Sequence, residues 1–252
     1  MKGMFADLCV MSAGTAVIMA AEALGWDAVC IAGRFKDSSS FRKFAEEAGK
    51  LRGGKTSVYL GALVSGNVAE NAKKALELAD LVLAEGRSEE ACRQAAESYD
   101  VDMILGPEQY VENDMTDYRS SGLDHVTAKM MAEHGIAYGV RLSDILRSYG
   151  SKRIQLLGRI SQNIRLAVKY KVRVVAVSGA SGVYEMRAPR ELASVLGFLG
   201  LGENSGKAVA DNPTDLLRKA EKRRSQDVIT NGLEVVSWGS QQKDGKRKHG
   251  WY

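Results

Sequence analysis

Short apolar runs alternate with helix-like periodicity along most of the chain. Residues 5–10, 28–33, 57–63, 81–85, 103–106, 137–141 and 173–178 are apolar stretches of strand length, with a weaker eighth candidate at 208–210. Between them, apolar positions recur at helical spacing over 15–24, 40–51, 68–79, 89–99, 125–134, 153–171, 189–199 and 213–224. Ser88 precedes Glu89 and Glu90, Asn212 precedes Pro213, and Gly25 and Gly135 follow helix ends. Those are the residue types expected at N-caps, first turns and C-terminal stops. Strand and helix alternating about eight times predict an α/β fold, a parallel TIM-like (β/α) barrel. A doubly wound open sheet competes with it, but no G-x-G-x-x-G follows the first strand.

The barrel is predicted over residues 1–236, followed by a flexible basic C-terminal tail at 237–252. That tail, "SWGSQQKDGKRKHGWY", lacks apolar periodicity and carries Lys243, Lys246, Arg247 and Lys248, too little apolar surface to order itself. It reads either as a solubilising end or as a nucleic-acid-touching arm with Trp238 and Trp251 available to stack.

Composition narrows the class. The chain is 45% hydrophobic over 252 residues, enough for a sizeable core. Cys9, Cys30 and Cys92 are odd in number and far apart, which predicts buried reduced thiols in a cytoplasmic protein. An apolar run over 8–21 imitates a signal peptide, but Asp7 ahead of it and its fit to a strand, turn and helix argue against one. No stretch approaches ~20 uninterrupted apolar residues, so no membrane span is expected. The net charge of +4 conceals an asymmetry: residues 1–140 hold 14 Lys and Arg against 21 Asp and Glu, and residues 141–252 hold 21 against 10. A basic second half suggests a polyanion as partner, and an acidic first half a basic protein.

Function in such barrels sits at the C-terminal ends of strands. Here those ends offer Cys9 and Met11, Arg34, Glu85, Glu108 and Gln109, Arg141, and Ser178. The histidines are His125, His134 and His249. The first two stand nine residues apart and cannot share a helix face, so no protein-held metal and no catalytic metal ligand are expected. Ser12, Ser178 and Ser181 lack a visible His–Asp set, and Cys9 reads as a core thiol, so no nucleophile is assigned. "SGASG", residues 178–182, is either a backbone phosphate cradle after the seventh strand or a tight turn.

Cations are more informative. In "SKRIQLLGRISQNIRLAVKYK", Ile154, Leu157, Ile160, Ile164 and Val168 are predicted to share the buried face, leaving Lys152, Arg159, Arg165 and Lys169 on the opposite arc as RNA contacts. Arg187 and Arg190 flank Pro189 at a helix start, where the positive dipole end repels them. A phosphate held by both arginines, the helix terminus and the 178–182 backbone would offset that cost. Glu185 and Glu191 are the internal carboxylates that would do so instead.

Four stretches together carry a family resemblance: "FADLCV" at the start, "GLDHVTAKMMAEHGIAYGVRLSDIL" at 122–146, "VRVVAVSGASGVYEMRAPRELASVLGFLGL" at 172–201, and "AVADNPTDLLRKAEKRR" at 208–224. The chain resembles protein component 3 of ribonuclease P, the archaeal relative of the eukaryotic thirty-kilodalton subunit, over roughly residues 4 to 235. That family folds as a TIM-like barrel akin to metal-dependent phosphoesterases of the PHP type. Such enzymes would place histidines near positions 9 and 11 after an aspartate like Asp7, where this chain has Cys9 and Met11.

The resemblance implies a subunit that supports ribonuclease P RNA in removing the 5′ leader from precursor tRNA. Mg²⁺ would be held by the RNA, with no cofactor on this chain. Expected partners are that RNA, protein component 2, other ribonuclease P proteins and precursor tRNA. His125 and Lys129, four apart and so on one helix edge, are expected to touch RNA or component 2. Two other readings compete: a stand-alone PHP-like or amidohydrolase-like metal phosphoesterase, and a metabolite-binding barrel using "SGASG".

Overall fold

A computed structural model describes residues 3–111 and 120–224, and the backbone of two short strands beyond them. Seven parallel strands follow one another in chain order: β1 (Ala6–Val10), β2 (Ala28–Arg34), β3 (Ser57–Val64), β4 (Leu81–Glu85), β5 (Met103–Leu105), β6 (Ala137–Arg141) and β7 (Val174–Val177). Each lies where an apolar run predicted it. Helices α1 (Thr15–Ala23), α2 (Ser38–Gly49), α3 (Val68–Leu76), α4 (Glu89–Glu97) and α5 (His125–His134) alternate with the strands. Then come α6 (Leu142–Arg147), α7 (Gly150–Tyr170), α8 (Pro189–Leu196) and α9 (Asp211–Arg224). An antiparallel pair, β8 (Val228–Thr230) with β9 (Leu233–Glu234), follows α9. The expected tail, with His249, lies outside the described residues.

Period-2 alternation sorts the strand residues between two cores. Leu81 and Leu83 of β4, and Val175 and Val177 of β7, belong to the barrel interior with Leu8, Leu63, Met103 and Leu105. Val82, Ala84, Val174 and Ala176 join the layer packed under the helices. Fully burying one such aliphatic side chain contributes about 1.5–3 kcal/mol, so both layers together drive the fold. Leu216, Leu217 and Ala220 of α9 belong to the interior cluster as well. The helix therefore stoppers the end at which the strands begin.

The eighth candidate is not a strand. Residues 208–210 form a turn whose carbonyls bridge the edges: the Ala6 amide donates to Val209 O at 3.2 Å and the Ala176 amide to Ala208 O at 2.9 Å. At the opposite end, the Gly179 amide donates to Cys9 O at 2.9 Å and the Met11 amide to Ala180 O at 2.8 Å. Seven strands thus close into a barrel through a turn at one end and a strand extension at the other. Asn212 is not a cap either. It lies inside α9, its Nδ2 donating to Val174 O at 2.8 Å.

Local signals decided other boundaries. Ser88 caps α4 by accepting the Ala91 amide, and Gly135 ends α5 in the left-handed region at φ 67°, which costs glycine little. The β1–β2 register slips between Asp7 and Val10. This extra residue places both Leu8 and Cys9 in the interior cluster, the re-aiming a β-bulge produces.

Candidate functional site

The strand C-terminal ends meet in an ion-pair network at the mouth of the barrel. Glu85, the last residue of β4, is 1% exposed and carries three guanidinium groups. Arg34 approaches Oε2 at 3.6 Å, Arg87 approaches it at 2.6 Å, and Arg141 faces Oε1 at 3.7 Å. Arg141, ending β6 and only 8% exposed, donates through Nε to Asp144 Oδ2 at 2.9 Å. Burial, the largest single influence, works to lower its pKa, but Asp144 together with Cys9 and Tyr110 raises it and the net direction is upward, so the group stays charged. Beside it, the Cys9 thiol is pushed up to about 12, chiefly by burial. A neutral buried thiol is a poor nucleophile.

A second buried carboxyl lies nearby. Glu108 Oε2 accepts from the Tyr138 hydroxyl at 3.0 Å and from Asn163 Nδ2 at 3.2 Å. Burial raises its pKa to about 7 against those hydrogen bonds. Asp7 spans the seam, its Oδ1 accepting the Cys9 amide at 3.2 Å and the Ser178 amide at 3.1 Å. Burial lifts it to about 6.

The metal site of a PHP-type phosphoesterase does not fit these residues. Cys9 and Met11 face each other as thiol and thioether at 3.8 Å, and a guanidinium lies between Glu85 and Asp144. Among the described residues, no group of three or more His, Cys, Asp or Glu is arranged to hold a metal ion.

Sequence-predicted contact residues fall into separate groups. His125, Arg165 and Lys169 line one groove of about 760 Å³ between α5 and α7, together with Gln162, Glu89 and Asp124. Lys129 is one turn beyond His125 and pairs with Glu133 at 3.9 Å. Lys152 lies 17 residues from Lys169 on α7, about 26 Å along the axis, and lines a different groove with Gln109 and Tyr110. Arg190 is exposed, while Arg187 Nη1 donates to Tyr184 O and Met186 O at 2.8 and 2.7 Å.

Three expectations need correction. Arg159 is not on the solvent arc: it is buried and donates through Nη1 to Val111 O at 2.6 Å. The buried face of α7 runs through Leu156, Arg159, Ile160, Asn163, Ile164 and Ala167, leaving Ile154 73% and Val168 52% exposed. Residues 156, 160, 163, 164 and 167 follow the helical period as well as the apolar set did, and only the neighbouring elements select between them.

Ser178 is also buried, and its Oγ accepts the Ala180 amide at 3.1 Å. The phosphate cradle at 178–182 is not formed. Its amides donate inward: Ser178 to Asp7, Gly179 to Cys9, and Ser181 to Glu185 Oε2 at 2.7 Å. Glu191 Oε2 takes the Ala188 amide at 3.0 Å, supplying the negative charge at the α8 start. Glu185 pairs with Arg147 at 2.7 Å rather than with Arg187 or Arg190. Sequence reasoning missed Asp144, Arg87, Tyr138 and Asn163. Of these, Asp144 alone had a signal, standing three residues after Arg141 and so on its side of a helical turn.

No described helix is long and apolar enough to cross a membrane. Among curated relatives, ribonuclease P protein component 3 of Methanosarcina acetivorans is 35% identical over 158 residues, covering 62% of this chain. The matched part spans only 62% of that relative's length. The Methanococcus maripaludis strain C7 protein of the same name is 27% identical over 219 residues, covering 84% of this chain and 89% of its own. In fold, the chain superposes with TM-score 0.76 and 20% identity on a chain of a cryo-EM structure of archaeal ribonuclease P with mature tRNA, covering 94% of this chain and 100% of that one. The ribonuclease P subunit p30 family matches residues 4–225, and the chain belongs to that family.

Proposed function

We propose that this chain is a protein subunit of ribonuclease P, supporting the catalytic RNA in removing the 5′ leader from precursor tRNA. The observation that carries this reading is the family match running over residues 4–225. Catalysis is assigned to the RNA and its Mg²⁺. On this chain the barrel mouth offers a neutral thiol and a guanidinium already engaged by two carboxylates, which neither take up a proton nor attack a phosphate. Its partners are the ribonuclease P RNA, protein component 2, the other protein subunits and precursor tRNA, in the cytoplasm.

Contact with RNA or component 2 is assigned first to His125, Arg165 and Lys169, which share a groove. Lys129, Lys152, Arg187 and Arg190 serve as outlying cations. Arg159 and Ser178 act from within the fold instead. Precursor-tRNA cleavage by reconstituted RNA and partner proteins, with and without this chain, tests the reading. Omission is expected to lower the cleavage rate, and a rate indifferent to this chain would reject it.

A further inference from the structure

The chain beyond β5, β6 and β7 carries an exposed tyrosine in each case, at the face where such barrels place their ligands. Tyr110 follows β5, Tyr149 precedes α7, and Tyr184 lies beyond β7; the last two are 74% and 95% exposed. Each has an arginine beside it. Arg87 lies over the Tyr110 ring at 5.7 Å from its centroid, and Arg153 over the Tyr149 ring at 5.1 Å. Arg187 donates to the Tyr184 carbonyl at 2.8 Å. The three segments are also joined to one another. Tyr110, Ser148 and Lys152 line one groove of about 550 Å³. Arg147 crosses from α6 to Ser181 Oγ at 2.8 Å and to Glu185 Oε2 at 2.7 Å. Ser148 adjoins Tyr149 and Glu185 adjoins Tyr184, so the three tyrosines lie along one continuous rim.

The rim keeps its positive charge. Its carboxylates are committed elsewhere: Glu108 and Asp144 are buried, Glu185 holds Arg147, and Glu191 takes the Ala188 amide. Carbonyls of Ser148 and Leu146 hold Arg153, and those of Tyr184 and Met186 hold Arg187. Such contacts fix a guanidinium without neutralising it, and an arginine against a ring also steadies the ring. Exposed aromatic faces interleaved with fixed cations suit a strand whose bases are unpaired, because each base can stack while its phosphate meets a cation. A duplex keeps its bases stacked within itself and cannot use the rings in this way. Building on the reading of this chain as a ribonuclease P subunit, we infer that Tyr110, Tyr149 and Tyr184 stack the bases of an unpaired RNA strand whose phosphates lie against Lys152, Arg153 and Arg187.

The test uses the full chain, an oligoadenylate of about twelve nucleotides and a base-paired RNA hairpin as probes, each titrated over a salt series. Tyr149→Leu with Tyr184→Leu is compared with Tyr149→Phe with Tyr184→Phe, and with Lys152→Ala. Both tyrosines are so exposed that either pair should melt with the parent. The leucine pair is expected to bind oligoadenylate at least about ten-fold more weakly with its salt slope unchanged, since a stacked ring releases no counterion. The phenylalanine pair keeps the ring faces and is expected to bind within about two-fold of the parent, as is the leucine pair on the hairpin. Lys152→Ala is expected to flatten the oligoadenylate slope by about one log–log unit. A parent that does not bind oligoadenylate, a leucine pair that binds it as the parent does, or an equal loss in the phenylalanine pair or on the hairpin would overturn the inference. Retained strand binding with lost capture of the other ribonuclease P proteins would make the rim a protein-docking surface and overturn it too. Reconstituted cleavage separates this outcome from the parent reading. A chain whose omission slows cleavage but whose leucine pair binds oligoadenylate normally loses the rim alone, and one that holds the strand through the rim yet leaves cleavage indifferent to its omission loses only the ribonuclease P assignment.

Discussion

The Ser178 amide donates to Asp7 Oδ1 at 3.1 Å, across the β1–β7 seam and 171 residues of chain. The same oxygen takes the Cys9 amide at 3.2 Å. One buried carboxylate thus ties together the first strand, its bulge and the extension of the last strand.

That position makes stability depend on pH in a definite direction. Burial raises the Asp7 pKa from 3.8 to about 6. Between those values the unfolded chain has released the proton while the folded one retains it, so stability falls as pH rises and the full penalty is present above about pH 6. At about 1.4 kcal/mol per pKa unit, the penalty is about 3 kcal/mol. Asp7→Asn removes the ionisation. Urea unfolding of parent and variant should show their stability difference moving in the variant's favour by about that amount between pH 4 and pH 7. A difference constant over this range would show that Asp7 does not titrate there.

Tyr138→Phe should act on Glu108. Burial holds that carboxyl up at about 7, and the Tyr138 hydroxyl is among the hydrogen bonds opposing it. Losing the hydroxyl should raise the pKa further and cost about 1–3 kcal/mol, more at pH 8 than at pH 6, because the charged form loses a donor. Carbon-13 titration of the Glu108 carboxyl and urea unfolding at both pH values measure this. An unmoved Glu108 titration would contradict it.

At the opposite end of the barrel, Arg223 donates to both oxygens of Asp102 at 2.9 and 2.8 Å, and Asp102 is 0% exposed. Arg223→Ala should destabilise by about 3–5 kcal/mol, since it strips the main partner from a buried charge. Adding Asp102→Asn should recover part of the loss. Chemical denaturation of the single and double variants decides the matter, and a single variant as stable as the parent would refute it.

The two kinds of α7 arginine should separate cleanly. Arg165→Ala with Lys169→Ala should flatten the salt dependence of RNA binding by about one log–log unit for each lost phosphate contact, with melting temperature unchanged. Arg159→Ala should lower melting temperature and leave the salt slope alone, because its guanidinium serves the Val111 carbonyl. Filter binding over a salt series and thermal melting distinguish the outcomes. A slope change in Arg159→Ala would reverse the assignment.

By itself, the sequence determined the strands, most of the helices and the order in which they alternate, because the periods of 2 and 3.6 are local properties that neighbours in the chain enforce. It also marked Cys9, Arg34, Glu85 and Arg141 as residues at strand ends. Tertiary structure alone decided that Glu85, Asp144 and Arg141 form one network, that Arg159 turns inward, and that residues 208–210 close the seam without forming a strand. Those outcomes depend on contacts between segments far apart in the chain, such as Asp7 with Ser178. An arginine in a helix carries the same local signal whether it meets solvent or a carbonyl, and the cost of burying it is settled only by the partner the fold supplies.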